Sequence, residues 1–146
     1  MTEGIIRPLA ICVFRHRDRI LVEKAYDPTK EEHFYRPLGG GIEFGETSRD
    51  ALIREIREEI NAQITDLRLL GTLENIFTFD GRPGHEIVQV YDATFCDAAL
   101  YTRDGIPGSE DDGHTFTAQW LPLASLTPDA PPLYPDGLLD LLRRQR

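Results

Sequence analysis

Glu55, Glu58 and Glu59 are separated by three, four and one residues. On a helix, residues at those spacings share a face, so the three carboxylates would stand together. Like charges placed this way repel one another and weaken a helix. A hard divalent cation removes that objection, because carboxylate oxygens are the ligands that Mg2+ and Mn2+ prefer. The cluster therefore reads first as a metal site. A solvated acidic helix edge is the plain alternative. Against it stand Gly39, Gly40, Gly41, Glu46 and Arg54, which lie in fixed register with the three acids.

A helix has to carry these groups, and the surrounding residues specify one. Thr47 and Asp50 form a T-x-x-D capping box, which predicts a helix starting at residue 47. Leu52, Ile53, Ile56 and Ile60 fall on one stripe and are expected to face a core. Ala51, Glu55, Glu58 and Glu59 occupy the neighbouring stripe, where Ala51 is small enough to admit a ligand. Asp50, Arg54 and Arg57 are expected to point elsewhere. At the far end, Asn61 suits a left-handed cap.

The run G-x5-E-x7-R-E-I-x-E-E from Gly40 to Glu59 resembles the Nudix box, the signature of hydrolases that cleave nucleoside diphosphates linked to another moiety. The family pattern is G-x5-E-x7-R-E-U-x-E-E-x-G-U, with U a bulky apolar residue. Gly40, Glu46, Arg54, Glu55, Ile56, Glu58 and Glu59 match it, whereas Asn61 stands for the last glycine and Ala62 for the final apolar residue. Upstream, Pro37-Leu38-Gly39-Gly40 stands where the family usually has Pro-Gly-Gly.

The resemblance implies an α/β fold, a Nudix-type α/β/α sandwich with a central mixed sheet. It implies Mg2+ as cofactor, with Mn2+ able to substitute, held by Glu55, Glu58, Glu59 and the carbonyl of Gly39. Glu55 or Glu59 would lie close to the attacking water. Arg54 would pair with a box carboxylate and orient it, and Glu46 would act through a water or a neighbouring ligand. Family members often recruit another acid outside the box. Glu86 is the candidate here, ahead of the acidic run Glu110, Asp111 and Asp112, while His85 reads as a structural hydrogen-bonder. Arg36, Phe34 and Phe79 are the candidates for substrate contact, with Tyr35, Phe77 and Trp120 as further stacking surfaces.

The rest of the chain reads as strands around that helix. Residues 5–14 and 19–24 are expected to pair across a tight turn at Arg17-Asp18. Residues 26–33 read as a polar loop and 34–37 as a short strand leading into a glycine loop. Residues 66–79 and 85–96 form a hairpin across residues 80–84. Residues 102–113 read as a loop and 115–121 as a strand. Pro135 opens a terminal amphipathic helix bearing Leu138, Leu139, Leu141 and Leu142. Arg143, Arg144 and Arg146 would complement its dipole.

Composition bounds the remaining choices. The 146 residues suit one domain, 1–146, with a single core. No run of eighteen apolar residues is present, so no membrane partner is expected. An early acid, Pro8 and Arg15 make the N-terminal stretch unlike a signal peptide. Cys12 and Cys96 read as buried thiols in a reducing cytoplasm. A net charge of −9 argues against a nucleic-acid polymer, since no basic stripe is available. A small nucleotide remains the expected partner, and a homodimer is common among relatives. The expected activity is hydrolysis of a nucleoside di- or triphosphate, oxidised or non-standard ones included, or of another nucleoside diphosphate derivative. The alternative is a nucleotide-sensing module that does not cleave. A third reading, isomerisation of an isoprenoid diphosphate, would want a catalytic cysteine near the metal.

Overall fold

A computed structural model describes residues 4–145. Its strands are β1 (Arg7–Cys12), β2 (Arg15–His16), β3 (Arg19–Asp27), β4 (Glu32–Arg36), β5 (Leu38–Gly41), β6 (Ile64–Phe79), β7 (Arg82–Phe95), β8 (Gly105–Ser109) and β9 (Thr115–Pro122). Helix α1 spans Ser48–Ile60 and α2 spans Leu138–Arg144. One sheet has the order β5-β1-β7-β6, with β1 and β7 parallel and the other pairs antiparallel. The second runs β2-β3-β9-β8, and β4 pairs with the far half of β3.

Period-two alternation along β1 and β7 builds two cores on opposite faces of the mixed sheet. Ala10 and Cys12 with Tyr91, Ala93 and Phe95 pack toward Ala51, Leu52 and Ile56 of α1. Ile11, Val88 and Val90 pack the other way, toward Leu138, Leu141 and Leu142 of α2. The expected layers are therefore present, with the strands divided between two sheets rather than gathered in one.

Several local expectations give way to pairing. The polar stretch 26–33 shrinks to a turn at 28–31, because Tyr26 and Asp27 pair with His33 and Glu32. The expected glycine loop is a strand, β5, which pairs with β1 from Leu38 to Gly41. Residues 105–109, read as loop, form the edge strand β8, a place where Pro107 is tolerated. The long hairpin turns tightly on Asp80-Gly81, both at positive φ, so Pro83 and Gly84 belong to β7. Helix α2 begins at Leu138 behind Gly137, three residues later than Pro135 suggested. Cys96 is exposed rather than buried, since it falls just past the end of β7. Arg143 and Arg144 occupy the last turn of α2 as expected, while Arg146 lies outside the described residues. No helix among the described residues is long and apolar enough to cross a membrane.

Gly39 of β5 lies tight against the β1 backbone. Its φ of 145° is unfavourable for a side chain, and a Cβ there would stand 2.2 Å from the Ala10 carbonyl oxygen on β1. Gly39→Ala should therefore destabilise the protein by about 2–4 kcal/mol in chemical denaturation. A loss within experimental error would show that β5 can move away from β1.

Candidate functional site

Helix α1 starts and stops as its caps dictate. Thr47 is the N-cap and its hydroxyl accepts the Asp50 N–H at 3.1 Å. Asn61 closes the helix at φ 53°. Leu52 and Ile56 enter the core, whereas Ile53 is only half-buried and joins neither cluster. Glu55 and Glu59 are themselves buried, at 9 % and 6 % exposure, because their stripe lies against β5. The Gly39 N–H donates to Glu59 Oε1 at 3.1 Å. A Cβ on Gly40 would stand 2.5 Å from the Glu55 carboxyl carbon, so a side chain there would push that carboxylate aside.

Arg54 faces into this cluster, contrary to the expectation that it points away. Its Nε and one terminal nitrogen clasp Glu46 at 2.7 and 2.9 Å. The other terminal nitrogen bridges Glu55 and Glu58 at 2.9 and 3.0 Å, and a fifth bond reaches the Gly41 carbonyl at 3.0 Å. A guanidinium has five N–H donors, and all five are engaged. Arg54 thus contacts three of the box carboxylates, Glu46, Glu55 and Glu58. The Arg54 hydrogen bonds, helped by the Glu43 N–H, pull the Glu46 carboxyl down to about 2. Burial pushes Glu55 the other way, and Arg54 only partly offsets it.

Glu59 meets a different partner. Burial, followed by the charges of Glu110 and Glu55, pushes its carboxyl up to about 9. Glu110, on the loop after β8, is raised as well, first by burial and then by Glu23. Glu110 is the nearest acid acting on Glu59, and its charge adds to the effect of burial there. Arg36 reaches Glu110 at 3.9 Å and pairs with the buried Glu23. Glu86 lies apart from the box acids. It receives the Asn75 amide at 3.5 Å and an ion pair from Arg7 at 3.7 Å. Of the expected outside acids, Glu110 is thus the one brought to Glu59.

Glu59, Glu110, Glu23, Gly39 and Gly40 line a cavity of about 790 Å3, whereas Glu55 and Glu58 do not. Phe34, Arg36, Phe77, Phe79 and Glu86 line it as well, as does His85, whereas Tyr35 and Trp120 do not. Trp120 is buried in the α1 core with its indole N–H on the Leu100 carbonyl, and Tyr35 packs on the α2 side. Phe34 meets Phe79 edge-on at 6.1 Å and Tyr134 at 5.3 Å, which makes an aromatic end wall. Asn75, Tyr134, Glu23 and Asp27 were not anticipated from sequence. Only an acid at a buried strand position could have hinted at the last two.

The donor set fits a hard divalent ion. Glu55 and Glu59 are buried acids raised first by burial, and Gly40 lies directly against the Glu55 carboxylate. Among the described residues no three acidic, histidine or cysteine side chains already converge as a finished cage. Arg54 bridges Glu55 and Glu58 instead, so these two would turn to share a cation.

Comparison with known proteins gives the same picture from outside. The family model of the NUDIX domain matches residues 6–142. MutT4 of Mycobacterium tuberculosis (strain CDC 1551 / Oshkosh), named as a mutator protein, is 32 % identical over 87 residues, which is 60 % of this chain and 32 % of that protein. The NAD-capped RNA hydrolase NudC of Pseudomonas putida (strain W619) is 33 % identical over 67 residues, 46 % of this chain and 24 % of that protein. These matches span a third or less of either curated relative. Among solved structures, the MutT NUDIX hydrolase from Burkholderia pseudomallei superposes with a TM-score of 0.68 at 22 % identity, covering 95 % of this chain and 98 % of that one. That likeness concerns the fold.

Two outcomes test the Arg54 cluster. Arg54→Met should cost about 3 kcal/mol by chemical denaturation, since it strands partly buried carboxylates, while exposed Arg57→Met should stay within about 0.5 kcal/mol. Glu46 supplies the pH dependence. Its folded value near 2 lies below the ordinary 4.5, so its contribution is complete above pH 4.5 and is lost as pH falls toward 2. Glu46→Gln should flatten the melting temperature across that window; a wild-type slope that persists in the variant contradicts the assignment.

Proposed function

The chain belongs to the Nudix family of pyrophosphohydrolases, and from that premise we propose that it cleaves the phosphoanhydride bond of a nucleoside di- or triphosphate by attack of water at phosphorus. Oxidised or non-standard nucleotides and other nucleoside diphosphate derivatives fall within the same reading. One observation carries it: Glu59 of the acidic face of α1 lines, with Gly39 and Gly40, a cavity that Phe34, Phe77 and Phe79 also line. Phosphates and a base would be accommodated at opposite ends of that space.

Glu55, Glu58, Glu59 and the Gly39 carbonyl would hold Mg2+ or Mn2+, which when bound polarises phosphoryl oxygens and lowers the pKa of water. The side chains then divide the work. Arg54 holds Glu55 and Glu58 side by side through its bridging nitrogen, from where the two would turn toward a cation. Glu59 would be ionised as a ligand, and Glu110 is the acid beside it. Glu110 takes the proton of the attacking water as the new oxygen–phosphorus bond forms. The anhydride bond breaks, and the leaving phosphate departs with its electron pair. Arg36, paired to Glu23 and near Glu110, lies where it can meet a substrate phosphate. Phe34 and Phe79 would face the base.

The sensing alternative fits less well, because Glu46, Glu55, Glu58 and Glu59 are all present and organised. The isomerase reading loses its catalytic cysteine. Cys12 is fully buried in the α1 core, its thiol raised first by burial, and Cys96 does not line the cavity.

Phosphate and pyrophosphate release should be followed over a panel of canonical and 8-oxo nucleoside triphosphates, nucleoside diphosphates, ADP-ribose, nucleotide sugars and dinucleotide polyphosphates. Turnover should require Mg2+ or Mn2+ and stop with EDTA. Glu58→Gln and Glu59→Gln should abolish it with the fold intact. Glu110→Gln should lower kcat by about 100-fold or more, as loss of a general base does, and Glu86→Gln should cost clearly less. Full activity in both box variants, or hydrolysis that survives chelation, contradicts the mechanism. The reverse order of Glu110 and Glu86 would return the base to Glu86.

A further inference from the structure

The β6–β7 hairpin reaches past the sheet that supports it. Strand β1 pairs with β7 only from Glu86 to Tyr91. From Ile76 to His85, β6 and β7 pair with each other as a two-stranded ribbon, and Ile76 and Phe79 are 73 % and 40 % exposed. A ribbon of that kind is marginal by itself in water. Yet Phe77, Phe79, Gly84 and His85 line the cavity, so the placement of the ribbon determines the shape of that end.

Asp27 supplies the missing support. Its carboxylate is 2 % exposed at the end of β3, and it accepts three backbone N–H groups. Thr29 and Lys30 donate from the β3–β4 turn at 3.0 and 3.3 Å. The third is Asp80, fifty-three residues away at the ribbon tip, whose N–H lies 3.2 Å from both carboxylate oxygens. The Thr29 hydroxyl adds a second link, donating to Asp80 Oδ1 at 2.7 Å. Burial alone would raise the Asp27 carboxyl, but the Asp80, Lys30 and Thr29 N–H groups outweigh it and the group sits below its ordinary value. A carboxylate that is ionised, buried and satisfied by peptide groups from two separate elements is a strong and directional tie.

The tie lies at the end of the cavity away from the box. Glu23 and Asp27 are four residues apart on β3, or about 13 Å at strand rise. Glu23 pairs with Arg36 next to Glu110, whereas Asp27 pairs with Glu32, beside Tyr134. Phe34 lies between them on β4 and touches Phe79 of the ribbon.

We propose that Asp27 is a positioning residue, a clasp that holds the β6–β7 ribbon over the distal end of the cavity and so sets affinity for the base of a nucleotide. It rests on the hydrolase reading for its substrate, but the clasp itself can be tested without turnover. Asp27→Asn keeps the shape and removes the charge; the exposed Thr29→Val removes only the second link and carries little risk to folding.

Two readouts are needed on wild type and both variants: steady-state hydrolysis of GTP and of inorganic triphosphate with Mg2+, and amide hydrogen exchange. In Asp27→Asn, KM for GTP should rise about tenfold, equivalent to 1.4 kcal/mol, with kcat within about twofold. KM for inorganic triphosphate, which is too short to reach the ribbon, should not move. Exchange should quicken over residues 76–85 and stay unchanged in α1, with a smaller change of the same kind in Thr29→Val. Unchanged exchange over 76–85 in both variants overturns the clasp. Faster exchange with no change in KM for GTP, or equal rises for both substrates, overturns its role in affinity. If wild type turns over neither compound, the hydrolase reading is decided by the wider panel above, the exchange result alone decides the clasp, and the dissociation constant of GTP replaces KM.

Discussion

Arg54 is the group on which the acidic site depends. Glu46, Glu55 and Glu58 would repel one another on a short stretch of chain, and the protein sets one guanidinium among them with every donor engaged. The fifth bond, to the Gly41 carbonyl, ties that charge network to β5 and through it to the mixed sheet. A lysine could not replace it, because three donors on a point charge cannot span two carboxylates, a third acid and a carbonyl in one plane. Glu59 lies outside this network. Its partner is another acid, Glu110, so the charge balance of the site is incomplete on the side that faces the cavity. That imbalance is the physical reason to expect a cation there.

The close approach of helix and sheet follows from small residues. Gly39 admits the β1 backbone and Gly40 admits the Glu55 carboxyl, so α1 can lay its acids directly against β5. On the opposite face of the same sheet, α2 seals the second core through Leu138, Leu141 and Leu142. The second sheet contributes Glu23, Phe34 and Arg36 to the cavity, and the long β6–β7 hairpin closes it from the other side. The site is thus a seam between elements distant in sequence, rather than a property of the helix alone.

How much of this was legible in the sequence depends on the range of the interactions. Helix α1, its caps and its acidic stripe were readable because they rest on contacts three and four residues apart. Long alternating strands were readable for the same reason. The β5 and β8 strands were not, since glycine- and proline-containing stretches form strands here only because β1 and β9 offer partners. Gly-Arg-Pro-Gly after Asp80 looked like a wider turn, and only cross-strand register shows that two residues suffice. The inward direction of Arg54 was missed because helical geometry places its Cα on another stripe, while its long side chain follows charge. Glu110 stood only behind Glu86 as a candidate, and Asp27 was not singled out at all. Their partners are Glu59 and Asp80, fifty-one and fifty-three positions away, and no local pattern marks such pairs.

The most direct test of the central claim is to run the reaction with Mg2+ in 18O-labelled water and weigh the products by mass spectrometry. Water attack at phosphorus, directed by the acids around Arg54, requires one 18O atom in one phosphate product. The position of the label also names the phosphorus attacked. Glu59→Gln, folded but lacking a box acid, should yield no labelled product. Product without label from the wild type, or labelled product at an undiminished rate from Glu59→Gln, would contradict the account.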